Sequence, residues 1–227
     1  MDIEHSPSSL DEKSWTAHLE VRRLLAALLC EPQRDLLLQE EVAPRLVTAL
    51  RALAPGHADE LDGLSAALDR EDQKTLLSEY TRIFIGPDRL PAPPYGSVYL
   101  GLERQVLGPT TEEVRRLYAE EGLVVSDGVH EPPDHVALEL EFAAFLLEKA
   151  ARASRSGSAS EARRLVARAR DFEAKYLRSW LPSLATAIAE AAETDFYRGV
   201  ARILAVYGDS EMPNLPGPVG DGAEPEA

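Results

Sequence analysis

Apolar residues recur at helical spacing along almost the whole chain, and this periodicity limits the possible folds more than any other sequence feature. In the stretch EDQKTLLSEYTRIF, the side chains of Leu76, Tyr80, Ile83 and Phe84 fall on one helical face. No strand-helix alternation interrupts the pattern, so a doubly wound α/β fold has no support. The sequence therefore predicts an all-α protein, a single-domain bundle of about nine or ten helices.

Three segments depart from the helical pattern. Residues 86–109 are rich in proline and glycine but also carry aromatic side chains, which indicates an ordered loop rather than a disordered linker. Residues 123–133 form a connector that contains a short extended Leu-Val-Val piece. Residues 208–227 combine acidic side chains with prolines and glycines and carry no basic residue, which predicts a disordered acidic tail. The folded domain is thus expected to span residues 1–207.

The charge of the chain excludes some classes of partner. Its 24 basic and 39 acidic residues give a formal net charge of −15, so nucleic acid and anionic membrane surfaces should repel it. The longest apolar run, Leu24–Cys30, is too short to cross a bilayer. The single cysteine, Cys30, excludes an internal disulfide framework and is expected to be a small core residue. The start of the chain lacks the features of a secretory signal, so a cytoplasmic location is expected.

The usual catalytic and cofactor motifs are absent from the sequence, including GxGxxG, GxxxxGK[ST], HExxH, CxxC and GxSxG. One cluster could bind a divalent metal: Asp134, His135 and Glu139, with His130 and Glu131 nearby. The simpler interpretation makes Asp134 an N-cap that accepts backbone N–H bonds at a helix start. Because a usable metal site needs three or more convergent ligands, the cap is favoured and no cofactor is expected.

The stripe Tyr80–Ile83–Phe84 also has two interpretations. Most apolar stripes at this spacing belong to a core. This one, however, ends at a Gly-Pro stop and continues into a proline-rich loop that carries Pro94 and Tyr95. Aromatic side chains beside a rigid loop can line a groove for a peptide. Periodicity alone favours the core over the groove.

Three segments together resemble a known family: YTRIFIGPDRLPAPPYGSVYL (80–100), EPPDHVALELEFAAFLLEKA (131–150) and YLRSWLPSL (176–184). In order and spacing they are similar to the TorD/DmsD/NarJ family of redox-enzyme maturation chaperones, and the resemblance covers residues 15–207. The family is all-α. The resemblance implies a cytoplasmic chaperone, without catalysis, that serves molybdenum enzymes of the dimethyl-sulfoxide-reductase type.

The resemblance also implies the partner and the mode of action. The chain would bind the twin-arginine signal peptide, or another N-terminal segment, of an apo-molybdoenzyme and hold it until the molybdopterin cofactor is inserted. It would bind no nucleic acid, would not insert stably into a membrane, and would be a monomer or a helix-swapped dimer. If helices are exchanged, the connector 123–133 is the expected hinge.

The peptide site of the family maps onto this sequence residue by residue. The implied peptide-binding residues are Tyr80, Ile83, Phe84, Pro94, Tyr95, Asp134, His135 and Glu139. Tyr80 and Tyr95 stand where relatives often have tryptophan, Ile83 where leucine is common, and Ala143 where methionine is common.

The chemistry of such a peptide agrees with the charge of the chain. Its two guanidinium groups can pair with Asp134 and nearby glutamates, and an apolar stretch follows them that Ile83 and Phe84 can receive. Two alternatives stay open at this point. One is an all-α metal-dependent hydrolase that uses Asp134, His135 and Glu139, and the other is an acidic helical adaptor for an unrelated protein.

Overall fold

A computed structural model of the chain describes residues 9–86, 90–101, 105–126, 128 and 130–209, without the side chains of 9–12 and 58–60. In this part of the chain eleven α-helices follow one another. They are α1 Ser9–Leu28, α2 Arg34–Gln39, α3 Val42–Leu53, α4 Leu64–Arg70, α5 Gln73–Tyr80, α6 Gly96–Leu100, α7 Pro109–Glu120, α8 Val136–Arg155, α9 Ala159–Tyr176, α10 Leu181–Ala191 and α11 Asp195–Gly208. A 3₁₀ segment, Pro55–Leu61, precedes α4, and a π-helical turn, Thr81–Ile85, extends α5.

The predicted all-α class is confirmed, with one helix more than the predicted nine or ten. The additional helix is α6, which lies inside the segment 86–109 that the sequence predicted as a loop. Among the described residues, β-type pairing is limited to an isolated antiparallel bridge between Tyr95 and His135. The predicted tail lies outside the described residues from position 210 onward, and so do positions 127 and 129 of the predicted hinge.

The long helix α8 forms the centre of the bundle. It packs against α9 on one side and against α1 on the other, and α10 packs on α11. Its buried side chains come from both flanks of the helix and include Leu140, Leu146 and Leu147, none of which is exposed. A helix that is apolar over so wide an arc has to be covered by neighbours on several sides, which explains its central place. The N-terminal end of α8 is the end at which the candidate site lies.

A buried ion pair joins α1 to α9. The Arg22 guanidinium donates from Nε to Glu173 Oε1 at 2.6 Å, and neither side chain is more than 3% exposed. The same guanidinium donates from Nη1 to the backbone carbonyl of His18 at 2.6 Å and lies 5.6 Å from the centre of the Tyr207 ring. Burial, with further help from Arg22 and Arg178, lowers the pKa of His18 to about 3. The fold therefore keeps His18 neutral beside two cations.

The sequence predicted that no apolar run is long enough to cross a bilayer. Among the residues described, none of the helices has both the length and the apolar composition that crossing a bilayer requires.

Candidate functional site

The end of α5 places the first three predicted site residues. The chain widens there into the π-helical turn Thr81–Ile85, and Gly86 closes the turn by donating its N–H to the Thr81 carbonyl at 2.7 Å. Such π turns are uncommon and occur often at functional sites. The rings of Tyr80 and Phe84 lie 5.1 Å apart, and Phe84 also contacts the Tyr197 ring at 5.9 Å. Phe84 and Ile83 are buried, so in this structure they form the wall behind the surface.

A non-helical segment, residues 90–95, joins the two halves of the site. Ala92 donates its N–H to the Ile83 carbonyl at 3.2 Å, and the Pro94 carbonyl accepts from the Val136 N–H at 2.9 Å. The isolated bridge then sets Tyr95 opposite His135, with their rings edge to face at 5.5 Å. Along this segment Ala92 and Pro94 are buried, while Tyr95 is partly exposed.

The two carboxyl groups of the predicted site are fully enclosed. Asp134 accepts the Ser97 N–H on Oδ2 at 2.8 Å, which anchors the start of α6. Neither oxygen of Glu139 accepts a hydrogen bond from a described residue, since the Trp180 indole beside it donates to the Tyr176 carbonyl. Burial first, and then the nearby Asp134, raise the pKa of Glu139 well above its usual value. The folded protein therefore favours the protonated, neutral form of Glu139 more strongly than water does.

Two predictions about local roles are wrong. The N-cap of α8 is His135 rather than Asp134, because His135 Nδ1 accepts the Ala137 N–H at 3.2 Å while Asp134 is engaged with Ser97. Burial lowers the pKa of His135 although Glu131 and Asp134 oppose the shift, so the neutral ring keeps this acceptor available. Cys30 is not a core residue: α1 ends at Leu28, and Cys30 is exposed beyond that end.

Acidic side chains surround the exposed side of the site. The Tyr95 hydroxyl donates to Glu131 Oε2 at 2.9 Å. Burial raises the pKa of Tyr80, with smaller contributions from Cys30, Glu131 and Glu31. The pKa of the Cys30 thiol is raised as well, because its sulfur is partly shielded from water although the residue as a whole is exposed, and because Glu141 and Glu131 lie nearby. Glu31 and Glu131 are therefore near the Tyr80 phenol, and Glu141 is near Cys30, which itself lies close to Tyr80; all three glutamates are exposed. We call Glu31, Glu131 and Glu141 the acidic rim.

The acidic rim was not part of the predicted site. The sequence singled out Glu131 only as a neighbour of a metal cluster, and nothing in the spacing of Glu31 and Glu141 linked either of them to Tyr80. Their proximity results from the packing of α1 against α8, which is a tertiary contact. A sequence signal did exist for Glu131, since it lies four residues before His135 in the segment EPPDH, which the resemblance assigned to the peptide site.

The geometry does not support the metal-dependent hydrolase. Across the residues that the structure describes, no three His, Cys, Asp or Glu side chains converge closely enough to hold a metal ion. Asp134 is engaged with backbone, His135 with its own helix, and Glu139 is enclosed beside Trp180, while His130 is exposed outside this cluster. The fold and the site together define an all-helical binding protein with an aromatic and acidic surface at one end of its central helix.

Comparison with known proteins identifies the class further. The family model described as nitrate reductase delta subunit matches residues 50–186. Over 157 residues the chain is 30% identical to the chaperone protein TorD of Vibrio parahaemolyticus, a match that covers 69% of this chain and 72% of the relative. It is also 30% identical over 168 residues to the Tat proofreading chaperone DmsD of Salmonella typhi, covering 72% and 75% of the two chains.

A solved structure supports the fold. A protein from Archaeoglobus fulgidus described as a redox enzyme maturation protein superposes with a TM-score of 0.51 at 19% identity, over 91% of this chain and 97% of that one. The chain therefore belongs to the TorD/DmsD/NarJ family of redox-enzyme maturation chaperones. The resemblance seen in the sequence is confirmed, and a chaperone rather than an enzyme is the role that its relatives share.

Proposed function

We propose that this chaperone binds the twin-arginine leader of an apo-molybdoenzyme of the dimethyl-sulfoxide-reductase type at the acidic rim and Tyr95, in the cytoplasm. Binding would hold the client until its molybdopterin cofactor is inserted, and so delay export. The observation that carries the proposal is that Tyr80, Tyr95 and His135, at positions that match the family's peptide site, lie beside the exposed carboxylates of the rim.

The chemistry of the rim suits a pair of guanidinium groups. Arginine binds carboxylates with two parallel hydrogen bonds and stacks on aromatic faces. Glu31, Glu131 and Glu141 supply the carboxylates, and the partly exposed Tyr95 supplies a ring next to one of them. The net charge of −15 favours the encounter with a cationic peptide. The same charge opposes binding of nucleic acid or of an anionic membrane surface.

The enclosed residues contribute to the proposed site in a different way from the one predicted. Asp134 is not exposed, so a direct ion pair with a peptide arginine does not fit this geometry, and we assign that contact to the rim. Asp134 holds the Ser97 N–H, and its own backbone carbonyl accepts the Gly96 N–H at 2.9 Å. These bonds position the residue that precedes them, Tyr95. Ile83, Phe84, Pro94 and Glu139 are buried behind this surface, where Phe84 packs against the Tyr80 ring at 5.1 Å.

Titration of synthetic leaders tests the proposal. Labelled leader peptides from the catalytic subunits of dimethyl-sulfoxide, trimethylamine-oxide and nitrate reductases are titrated and followed by fluorescence anisotropy. Glu131→Gln should lower the affinity for the tightest-binding leader by about tenfold, as expected for the loss of one charge-assisted hydrogen-bonded pair. Replacing both arginines of the peptide with lysines should weaken it as well, because lysine cannot pair bidentately.

Glu161→Gln is the matched control because it also removes a single negative charge. Glu161 pairs with Arg164 at 2.8 Å, and Arg164 and Lys149 share Glu121 as a partner. This chain of ion pairs places Glu161 near the Lys149 end of α8, and Lys149 lies about 21 Å along the helix from His135 at the usual helical rise. Glu161 is therefore far from the proposed site. The control should keep wild-type affinity. Failure of the wild-type protein to bind any leader of the panel, and any of the intact apo-enzymes, would refute the proposed function.

A further inference from the structure

A groove lies beside the acidic rim, between the turn before α7, the end of α7 and the connector. Its volume is about 640 Å³. We call it the connector groove. Its apolar lining includes Leu107, Tyr118, Leu123, Val124, Val125 and Pro133.

Apolar side chains at the edge of the connector groove are unusually exposed. Val124 is 89% exposed and Leu107 is 66% exposed. Isolated exposed apolar residues are ordinary, but several of them around one concave surface are typical of an interaction site.

The backbone at Leu107 is strained in a way that keeps its side chain in solvent. Its φ angle is +67°, in the left-handed region that glycine and asparagine favour and leucine avoids. A leucine at such a position neither relieves the backbone strain nor gains burial, so the folding of this chain alone does not explain why a leucine stands there. Strained residues of this kind concentrate at functional sites. Contact with a partner would give the exposed leucine its burial.

The connector also offers backbone hydrogen-bonding groups. Leu123 donates its N–H to the Tyr118 carbonyl at 2.9 Å, and residues 123–126 then continue without helical structure. Within the described ranges, the N–H and C=O groups of Val124 and Val125 make no backbone hydrogen bond. A non-helical segment with open backbone groups and flanking apolar side chains can offer these groups to a bound peptide.

The connector groove continues into the proposed arginine site. Glu131 lines the groove and at the same time accepts the Tyr95 hydroxyl at 2.9 Å. The groove lining also contains a basic residue, Arg115, which pairs with Glu112 at 3.4 Å. Because its positive charge repels the arginines of a peptide, these arginines are favoured at the Glu131 end. A larger cavity, of about 1110 Å³ between residues 90–101 and α10, shares no lining residue with the acidic rim. Of these two cavities, the connector groove is the one that shares a residue with the rim.

We infer that the connector groove binds the apolar stretch that follows the arginine pair of the leader, with the arginines held at the acidic rim. This inference rests on the proposed function and adds a second contact to it. A leader has its cationic pair and its apolar stretch adjacent in sequence, and the protein presents an acidic rim and an apolar groove that share Glu131. The occupant is thus a short peptide with a cationic start and an apolar continuation.

The test compares two versions of the same leader. One is the tightest leader of the panel, and the other is that peptide ended directly after its arginine pair. Leu107→Gly and Val124→Ser should each weaken the full leader by about five- to tenfold, because each removes one apolar side chain from the contact. Neither substitution should alter binding of the shortened peptide, whereas Glu131→Gln should weaken both. Both groove variants should fold normally, since Gly accommodates the positive φ and Val124 is almost fully exposed.

Val106→Ser is the matched control for the groove variants. Val106 is the neighbour of Leu107 and is 42% exposed, but it lines the larger cavity instead. The Val106→Ser variant should bind both peptides with wild-type affinity. If the groove variants bind the full leader normally while Glu131→Gln does not, the inference fails and the proposed function survives. If Val106→Ser weakens the full leader and Leu107→Gly does not, the apolar stretch lies in the larger cavity and the inference also fails.

Two further outcomes are decisive. If no leader binds the wild-type protein, the proposed function fails and the inference fails with it. Sedimentation analysis covers the remaining case. A dimer that Val124→Ser dissociates, without any change in leader affinity, would assign the groove to a second copy of the chain and overturn the inference.

Discussion

Replacing His18 with glutamine should remove part of the acid sensitivity of the fold. His18 is 1% exposed, and burial together with Arg22 and Arg178 lowers its pKa from 6.5 to about 3. Its Nδ1 lies 3.4 Å from Arg22 Nη1, and glutamine can present an oxygen in the same direction while staying neutral at every pH.

The sign and size of the effect follow from proton linkage. Between pH 6.5 and pH 3 the unfolded chain binds a proton at His18 and the folded chain does not, so stability falls as pH falls through the unfolded value. From pH 7 to pH 5.5 the wild type should lose about 1.3 kcal/mol that the His18→Gln variant keeps. The size depends almost wholly on the unfolded pKa, because the folded imidazole is still neutral at pH 5.5.

Urea unfolding followed by far-ultraviolet circular dichroism at the two pH values measures this difference. The lower value stays above the pI of about 4.8, where the chain would lose its net charge and its solubility. His57→Gln, on the partly exposed 3₁₀ segment, is the control for the chemical change itself. An identical pH dependence in the wild type and in His18→Gln would refute the argument that the fold holds this imidazole neutral beside Arg22.

Three further outcomes are expected. Glu139→Gln should stabilise the protein more at pH 7.5 than at pH 5.5, by up to about 1.4 kcal/mol per pH unit. The reason is that the pKa of Glu139 is raised in the folded protein, so folding of the wild type takes up a proton, and this uptake costs more free energy as pH rises. Urea unfolding at both pH values checks this. Gly96→Ala should destabilise by about 1–3 kcal/mol in thermal unfolding, since an added Cβ would lie 3.2 Å from Glu139 Oε1 and 3.3 Å from Trp180 Nε1. Leader affinity should fall with added NaCl, as the screening length shortens to ~8 Å at 0.15 M; an affinity independent of salt would contradict the acidic rim as the arginine site.

The helical architecture could be predicted from the sequence because helices are specified locally. The spacing of Tyr80, Ile83 and Phe84 predicted a helical stripe, and the structure continues α5 through them, although as a π turn. The same periodicity could not show α6, because Gly96–Leu100 is short, follows a run of prolines, and is held by Asp134 rather than by its own sequence. Helices this short depend on their tertiary contacts.

The candidate site was predictable only in part, for a similar reason. The resemblance located Tyr80, Tyr95, Asp134 and His135 together. In the structure a backbone bridge sets Tyr95 opposite His135, and the Ala92 N–H bond to the Ile83 carbonyl joins this segment to the helix end that carries Tyr80. The resemblance could not show which side chains of these residues would be exposed. Exposure of a side chain depends on which other elements cover it, and those elements are distant in sequence.

The sequence by itself determined that this chain folds into helices, that it is strongly acidic, and that it belongs to a family of chaperones. Each of these depends on composition, on local spacing or on ordered motifs. Only the tertiary structure decided that Asp134 and Glu139 are enclosed while Glu131 is exposed beside Tyr95. The physical reason is that burial and electrostatic environment are set by packing between α1, α8 and the segment 90–95, and packing between distant segments leaves no local pattern in the chain.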